Sequence, residues 1–428
     1  MRAFGALCRV GLSALAVGAG CRAEPPPVQL ELGVPFARQL AVQVCAPQKC
    51  PADDWSVLGH DSTRSNASAG CCGAPLTLEF RFEPPGQLRR PARVHHVVAH
   101  QGVFYASGTI GNSPAVFAVD STGTLRWTFD SRVDITRHHW PAVVLDRVVL
   151  NDDGLYILER ESGRKEVDRG LDSWGEVLSD GRNLFANNTW YIAGPQLYVG
   201  ALESGGAPLW TRNRFGVVRE DTLDRAGGIA LASGMLWQTL DTRPNDSVGV
   251  FAFRADDGKP QWSTQSIPLS GVSTSGDRVY VLERSNKGAA EQLVSRTHST
   301  GEVRFAVPLA EAEDRAPTLA QGSVLVRSRR GALSAFDDRS GEMLWQRATP
   351  ELPRLVVARS TSFAVALGSR SILVAGGTEL TLLHLSDGRE LWRGRPSAAR
   401  GVLHSPIFSR GRVILADDTG FLVLRCGP

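Results

Sequence analysis

At 428 residues and a formal net charge of +3, the chain is long enough for two ordinary domains or one repeat array, and it lacks the basic surplus of a nucleic-acid binder. Lysine occurs only at Lys49, Lys165, Lys259 and Lys287, and the arginines are scattered rather than clustered, which fits a GC-rich coding bias better than an anion-binding stripe. The content of 44 Gly and 24 Pro suits many short strands and turns.

The first segment reads as an address. Arg2 and Arg9 flank a short n-region, and Val10–Val17 is apolar but too short to span a bilayer comfortably. Gly18-Ala19-Gly20 then lead into Cys21, so residues 1–20 are expected to be a signal peptide. Small residues before a cysteine resemble a bacterial lipobox, although Gly18 stands where a branched apolar residue is usual. Cys21 is the expected lipidation site, and Arg22–Pro27 would form a stiff Pro-rich tether behind it.

Residues 21–75 form a tether and a cysteine-bearing cap without repeats. Export makes Cys45, Cys50, Cys71, Cys72 and Cys426 disulfide candidates. Cys45 and Cys50 could close a small loop, and Cys71 and Cys72 could pair as neighbours. Zinc is a rival use of the four N-terminal thiols, but export favours oxidation and no histidine lies at ligand spacing nearby. Leu76–Phe82 alternates apolar and polar residues with period two, the pattern of a half-buried strand, and Pro84-Pro85-Gly86 ends it.

From about residue 93 one phrase recurs: apolar strand, polar turn with Gly, then Trp. Val116–Gly123 runs on to Trp127, and the phrase returns ending at Trp210, Trp262, Trp345 and Trp392; two weaker copies, through Gly163 and Gly301, lack the Trp. The turn glycines recur at roughly 40–50 residues, the period of a propeller blade. Pro141, Pro317 and Pro406 share one register, each seven residues before Val148, Val324 and Val413. Eight second strands can be counted, from Val103–Tyr105 to Val413–Leu415. The expected fold is all-β: an eight-bladed β-propeller of four-stranded antiparallel blades over residues 76–426.

The eighth unit runs out after Arg425 with three strands, while Leu76–Phe82 is spare. An unpaired edge is an aggregation liability. The N-terminal strand is therefore expected to complete the last blade, placing Cys426 beside Cys71 or Cys72. Each Trp is expected to pack over the turn of the next blade, with its N–H on a carbonyl, and the two copies without Trp should make softer contacts.

Ala118-Val119-Asp120-Ser121-Thr122-Gly123-Thr124-Leu125-Arg126-Trp127 resembles the β-propeller repeat of pyrroloquinoline quinone (PQQ) enzymes and their non-enzymatic relatives. Ala335-Phe336-Asp337 through Gly341 to Trp345 follows the same pattern, and Asp54–Arg64 looks like the lead-in segment of many exported members. The resemblance implies either of two functional classes. One is a quinoprotein dehydrogenase. Cys71-Cys72 echoes the vicinal pair that some of those enzymes carry over the cofactor, but it precedes the ring instead of lying in a loop within it, and no calcium-binding set or general-base Asp can be assigned. The other is the BamB-like lipoprotein branch: signal, Cys, Pro-rich tether, eight-bladed ring and no cofactor. The expectation is accordingly a non-enzymatic interaction scaffold of the bacterial cell envelope. Its expected partners are envelope proteins, and it would touch the membrane only through an N-terminal lipid.

Segments preceding the first strands should line one mouth of the channel. They bring His95, His96, His138, His139, Trp140, Trp174, Arg315, Phe363 and His404 into one region, a candidate ligand or metal mouth. His95 and His96 are expected on opposite faces of a strand, where they could not share an ion. Thr239–Ser247 is an extra loop in the fourth unit, and insertions in repeat proteins often mark a binding face. No phosphate loop, His-Glu-x-x-His or serine elbow is present.

Overall fold

The computed structural model describes residues 54–427 apart from 55, 58–59, 62, 87–91, 112, 131–140, 152–154, 170–175, 189–195, 204, 214–227, 243–246, 313–314, 350–363, 368–369, 405 and 418. Every regular element among them is a strand. Eight antiparallel sheets follow one another along the chain. Blade 1 is Ala92–His100, Val103–Ile110, Ser113–Val119 and Leu125–Asp130. The next six blades repeat that order, with first strands at Ala142–Val144, Val177–Ser179, Ile229–Ala232, Ser273–Ser275, Thr318–Ala320 and Ala364–Leu367.

Each first strand touches the first strand of the blade before and after it, and Ile407–Ser409 of blade 8 touches Ala92–His100. The eight first strands therefore make a closed inner ring, and the fourth strands face outward. Blade 8 is composite. Ile407–Ser409, Arg412–Asp417 and Gly420–Gly427 come from the C-terminus, and Gly73–Phe82 pairs antiparallel with Gly420–Gly427 as the fourth strand. The closing strand begins at Gly73, three residues earlier than its alternation indicates, because the pairing continues past Leu76 to Gly73↔Gly427. Cys72 is disulfide-bonded to Cys426 across this join, and Cys71 is disulfide-bonded as well. Ion pairs reinforce the seam: Arg81 donates to both carboxylate oxygens of buried Asp417 at 2.6 and 3.0 Å, and Glu79 accepts from Arg412 and Arg425.

The recurring aromatic is explained by register. Trp127 lies opposite Ala118, Trp210 opposite Val199, Trp262 opposite Ala252, Trp345 opposite Ala335 and Trp392 opposite Leu382, each immediately before a β-bulge. The bulge turns the outer strand so that the side chain reaches the next blade. There the rings of Trp127, Trp210, Trp262 and Trp345 lie against the turn glycines Gly163, Gly258, Gly301 and Gly388, where any added Cβ would fall within 2.5–2.7 Å of the ring. Their N–H groups donate to the carbonyls of Arg160, Ala255, His298 and Leu385 at 2.8–3.1 Å. In the two copies without Trp, Phe305 meets Gly341 and Val167 meets Gly205, so packing is kept while the N–H bond is lost. Trp392 differs: it packs on the core shared by blades 7, 8 and 1, beside its own Gly394. In blade 8 the position belongs to Phe80, opposite Val423, whose ring lies on Gly123 of blade 1.

Two sequence expectations are corrected. The extra loop at 239–247 is largely a longer hairpin: Thr239–Thr242 and Ser247–Val250 continue the ladder, with Leu240↔Gly249 and Thr242↔Ser247. His95 and His96 do not simply alternate, because Val94↔Gly108 is followed directly by His96↔Ser107; His95 is the extra residue of a bulge, and the two rings are 6.4 Å apart.

Candidate functional site

The middle of the ring is the natural place for a site, since eight inner strands converge there. It is filled by the chain itself. Residues 54–72, which carry no periodicity in the sequence, bond to elements of every blade. Asp54 accepts from the backbone N–H of Gln101 in blade 1 and from Ser409 and Arg410 in blade 8. The carbonyl of Ser56 accepts from Val143 N–H of blade 2 at 2.7 Å. Arg64 reaches blades 3 and 4: its Nη2 donates to Glu176 Oε2 at 2.7 Å and its Nε to the Ile229 carbonyl at 3.0 Å. Thr63 and Ser65 carbonyls accept from Thr274 of blade 5 and Leu319 of blade 6, at 2.8 and 2.7 Å. Ala67–Ser68 forms a short parallel ladder with Ala366–Leu367 of blade 7. Gly70 then lies flat against Phe408 of blade 8, so close that a Cβ there would fall 2.0 Å from the ring.

The contacts to backbone groups of the inner strands have one physical cause. An inner strand of a blade has a free edge toward the channel, and its N–H and C=O groups need partners once water is excluded. The segment supplies them to blades on opposite sides of the ring, so it crosses the channel. Its backbone is bent to do so: Arg64 and Asn66 hold φ of +59° and +52°, which side-chain-bearing residues adopt at a cost and keep only where surroundings over-determine them. Asp61 organises the bend, accepting from Thr63 and Ser65 hydroxyls at 2.6 and 2.8 Å and from Ser65 N–H. Burial pushes the Asp61 carboxyl up, but hydrogen bonds from His60, Thr63 and Ser65 hold it below its ordinary value.

Arg64 and Glu176 form the electrostatic centre, with side chains 1% and 7% exposed. Burial lowers the Arg64 guanidinium and raises the Glu176 carboxyl, and each charge partly offsets the other's cost. Glu176 also accepts from Ile229 N–H, and its own N–H donates to Asn187, so the pair is fixed in place on both sides.

Of the residues expected at the channel mouth, His95, Arg315 and His404 lie on or just before the inner strands of blades 1, 6 and 8. His95 is half-buried at its bulge, and Arg315 is buried just before the inner strand of blade 6. His404 precedes the inner strand of blade 8 and its N–H donates to Ala416. His138, His139, Trp140, Trp174 and Phe363 lie outside the described residues, as do Cys21, Cys45 and Cys50. Arg64 and Glu176 were not singled out by composition or spacing; Arg64 alone had a signal, as the last residue of the lead-in segment.

Eight four-stranded blades joined by an N-terminal closing strand, with Trp-on-Gly docking and a self-filled channel, define the class: the chain is a PQQ-like repeat β-propeller. Within that class a family model described as outer membrane protein assembly factor BamB matches residues 245–423. Among curated proteins, BamB of Burkholderia pseudomallei (strain K96243) is 26% identical over 252 residues, covering 52% of this chain and 58% of that protein. BamB of Escherichia coli (strain K12) is 28% identical over 109 residues, covering 26% of this chain and 25% of that protein. The chain thus spans from a quarter to under two thirds of these relatives' length. The crystal structure of BamB from Moraxella catarrhalis superposes with a TM-score of 0.58 at 15% identity, covering 82% of this chain and all but 2% of that one (98%). Quinohemoprotein alcohol dehydrogenase from Comamonas testosteroni gives 0.63 at 12% identity, covering 87% and 80%. Identities this low bear on the fold alone.

The quinoprotein neighbours raise the question of a quinone cofactor, and the described residues do not fit one. Cys72 is bonded to Cys426, so Cys71-Cys72 is not a vicinal disulfide. The ring centre is occupied by the described residues of the 54–72 segment, and among the described residues no three His, Cys, Asp or Glu side chains are grouped to hold a metal ion.

Proposed function

We propose that the chain is an exported, non-enzymatic propeller that serves as a protein-interaction scaffold in the bacterial cell envelope and acts in outer-membrane protein assembly, the role for which its BamB relatives are named. The observation that carries this reading is the filled channel: a ring whose centre is stitched to all eight blades by its own chain offers its rims and loops, not a central chamber, to other molecules. The Cys72–Cys426 disulfide favours an oxidising compartment, in keeping with a signal peptide over residues 1–20. Attachment would come from lipid on Cys21; no helix among the described residues is long and apolar enough to cross a membrane.

The test is crosslinking in intact cells followed by affinity purification from detergent-solubilised envelopes. Outer-membrane assembly proteins should be recovered, and labelling with a palmitate analogue should be lost in Cys21→Ala. Recovery of the chain alone would refute the scaffold role. Stoichiometric PQQ binding with alcohol-dependent dye reduction would replace it with the dehydrogenase reading.

A further inference from the structure

A second site lies on the seam between blades 4 and 5, away from the channel plug. The facing surfaces of these blades are apolar over most of their extent, built from Trp237, Val250, Ala252, Val279, Val281 and Val294. At one end this packing stops. An open cleft of about 410 Å³ lies there. Trp262 and residues 263–266, leaving blade 4, form one wall. Glu283, Ser285, Gln292 and Arg296 of blade 5 form the other. Blade 5 is extended at this point by an additional short strand, Ile267–Pro268, which pairs with Arg284 and Glu283.

The floor is a continuous polar chain. Thr264 Oγ1 accepts from Val250 N–H and lies 2.9 Å from Ser266 Oγ, which donates to Glu283 Oε2 at 2.7 Å. Glu283 Oε1 in turn accepts from Arg296 Nη2, and Arg296 Nη1 donates to the Gly301 carbonyl at 3.1 Å. Glu283 and Arg296 are 4% and 9% exposed, and the Arg296 Nε, shielded from solvent, has no acceptor among the described residues. A buried ion pair is a poor way to fill a seam that is otherwise hydrophobic, since apolar residues of similar volume are often as stable or more so. The pair ties Ser266 to the Gly301 turn, a task that leaves its polar groups lining the cleft.

We infer that this cleft is a binding site for a neutral, polyhydroxylated ligand, a saccharide unit of a glycan. Three features select that chemistry. The two charges of the lining neutralise each other, so an ionic ligand would have to break the pair. The remaining walls are hydroxyls and amides (Ser263, Gln265, Ser285, Gln292, Thr300), which both donate and accept, as sugar hydroxyls require. An apolar ligand would strand those groups, whereas Trp262 supplies one apolar wall for the C–H face of a ring.

The test uses the full chain with maltotriose and chitotriose, and a neutral Ala/Gly tripeptide as competitor class, read by saturation-transfer NMR and calorimetry. At least one oligosaccharide should bind saturably. Affinity should fall about tenfold or more in Gln265→Leu/Gln292→Leu, which removes rim hydrogen bonds worth roughly that factor, and in Ser285→Trp, which blocks the mouth. Thermal midpoints of both variants should match the wild type. The inference is overturned if neither oligosaccharide binds, if both folded variants bind as the parent does, or if the tripeptide binds in the sugars' place.

Discussion

Replacing Arg64 with Met is the sharpest probe of the plugged ring. The guanidinium is 2.7 Å from Glu176 Oε2, with side chains 1% and 7% exposed, so the substitution leaves a carboxylate buried without its partner and a carbonyl, that of Ile229, without its donor. Breaking a buried pair from one side costs about 3–5 kcal/mol. The cost should also depend on pH in a defined sense. Burial holds the Glu176 carboxyl above its ordinary 4.5, and without Arg64 only the hydrogen bond from Ile229 N–H still opposes that push. A raised carboxyl contributes stability that is fully present below its unfolded value and is lost as pH rises through the folded value. The gap between Arg64→Met and wild type should therefore be largest at pH 7.5 and narrow at pH 5.5. The double variant Arg64→Met/Glu176→Leu, which removes both charges, should recover much of the loss. Urea titrations at the two pH values, followed by tryptophan fluorescence, would measure all three. A single variant within about 0.5 kcal/mol of wild type, a pH-independent gap, or a double variant no better than the single would refute the placement of Arg64 in the ring centre.

Cys426→Ser should lower stability by about 2–5 kcal/mol, seen as a fall in melting temperature, because the bond to Cys72 closes a loop with a sequence separation of 354 residues. Gly388→Ala should cost about 1–3 kcal/mol more than Gly411→Ala, since both glycines have positive φ, at +65° and +76°, but only at Gly388 would the new Cβ meet a tryptophan, Trp345, at 2.5 Å; equal melting temperatures would mean that the ring does not rest on the turn. The Arg412 and Arg425 guanidiniums, against a smaller opposing effect of burial, hold the Glu79 carboxyl at about 2, well below 4.5. Its contribution is present above pH 4.5 and is lost as pH falls through 2, so Glu79→Gln should flatten the acid limb of a stability–pH profile in that window and leave pH 7 behaviour of the remaining groups unchanged.

The repeat was legible because its causes are local. A strand, a Gly turn and a Trp nine or so residues on leave a fixed trace, since the bulge after Ala118, Ala252 or Ala335 recurs in each blade. The closing strand was legible from counting: three strands at the C-terminus and one spare at the N-terminus. Phe80 was missed in its docking role because it is separated from the rest of its blade by more than 320 residues of intervening chain (Phe80 pairs with Val423) and so carries no phrase around it. The plug was illegible for a different reason. Several of its bonds join backbone carbonyls of the segment to backbone N–H groups of strands far along the chain, and such contacts select no side-chain pattern. The side chains of Asp54, Asp61 and Arg64 are the exceptions, and each bonds through its charged group.

The plug, the disulfide and the closing strand are consecutive, and that order has a consequence for how the ring holds. Residues 54–72 bridge the inner edges, Cys72 ties the crossing point to the C-terminus, and Gly73–Phe82 seals the outer edge of blade 8. The segment engages four consecutive blades within three residues, so its bonds form together only when those blades stand side by side: Thr63 at blade 5, Arg64 at blades 3 and 4, Ser65 at blade 6. The segment made first along the chain thus gains its partners only after the last blade exists. Contacts so distant in sequence delay their own reward, since the entropy of closing the loop is lost before any bond forms. An unclosed ring would meanwhile expose a strand edge at each end, the surface most prone to pair with another chain. Ion pairing at the seam, Arg81 with Asp417 and Glu79 with two arginines, answers this hazard: charged groups at an open edge resist pairing with foreign strands, and the correct partner alone neutralises them.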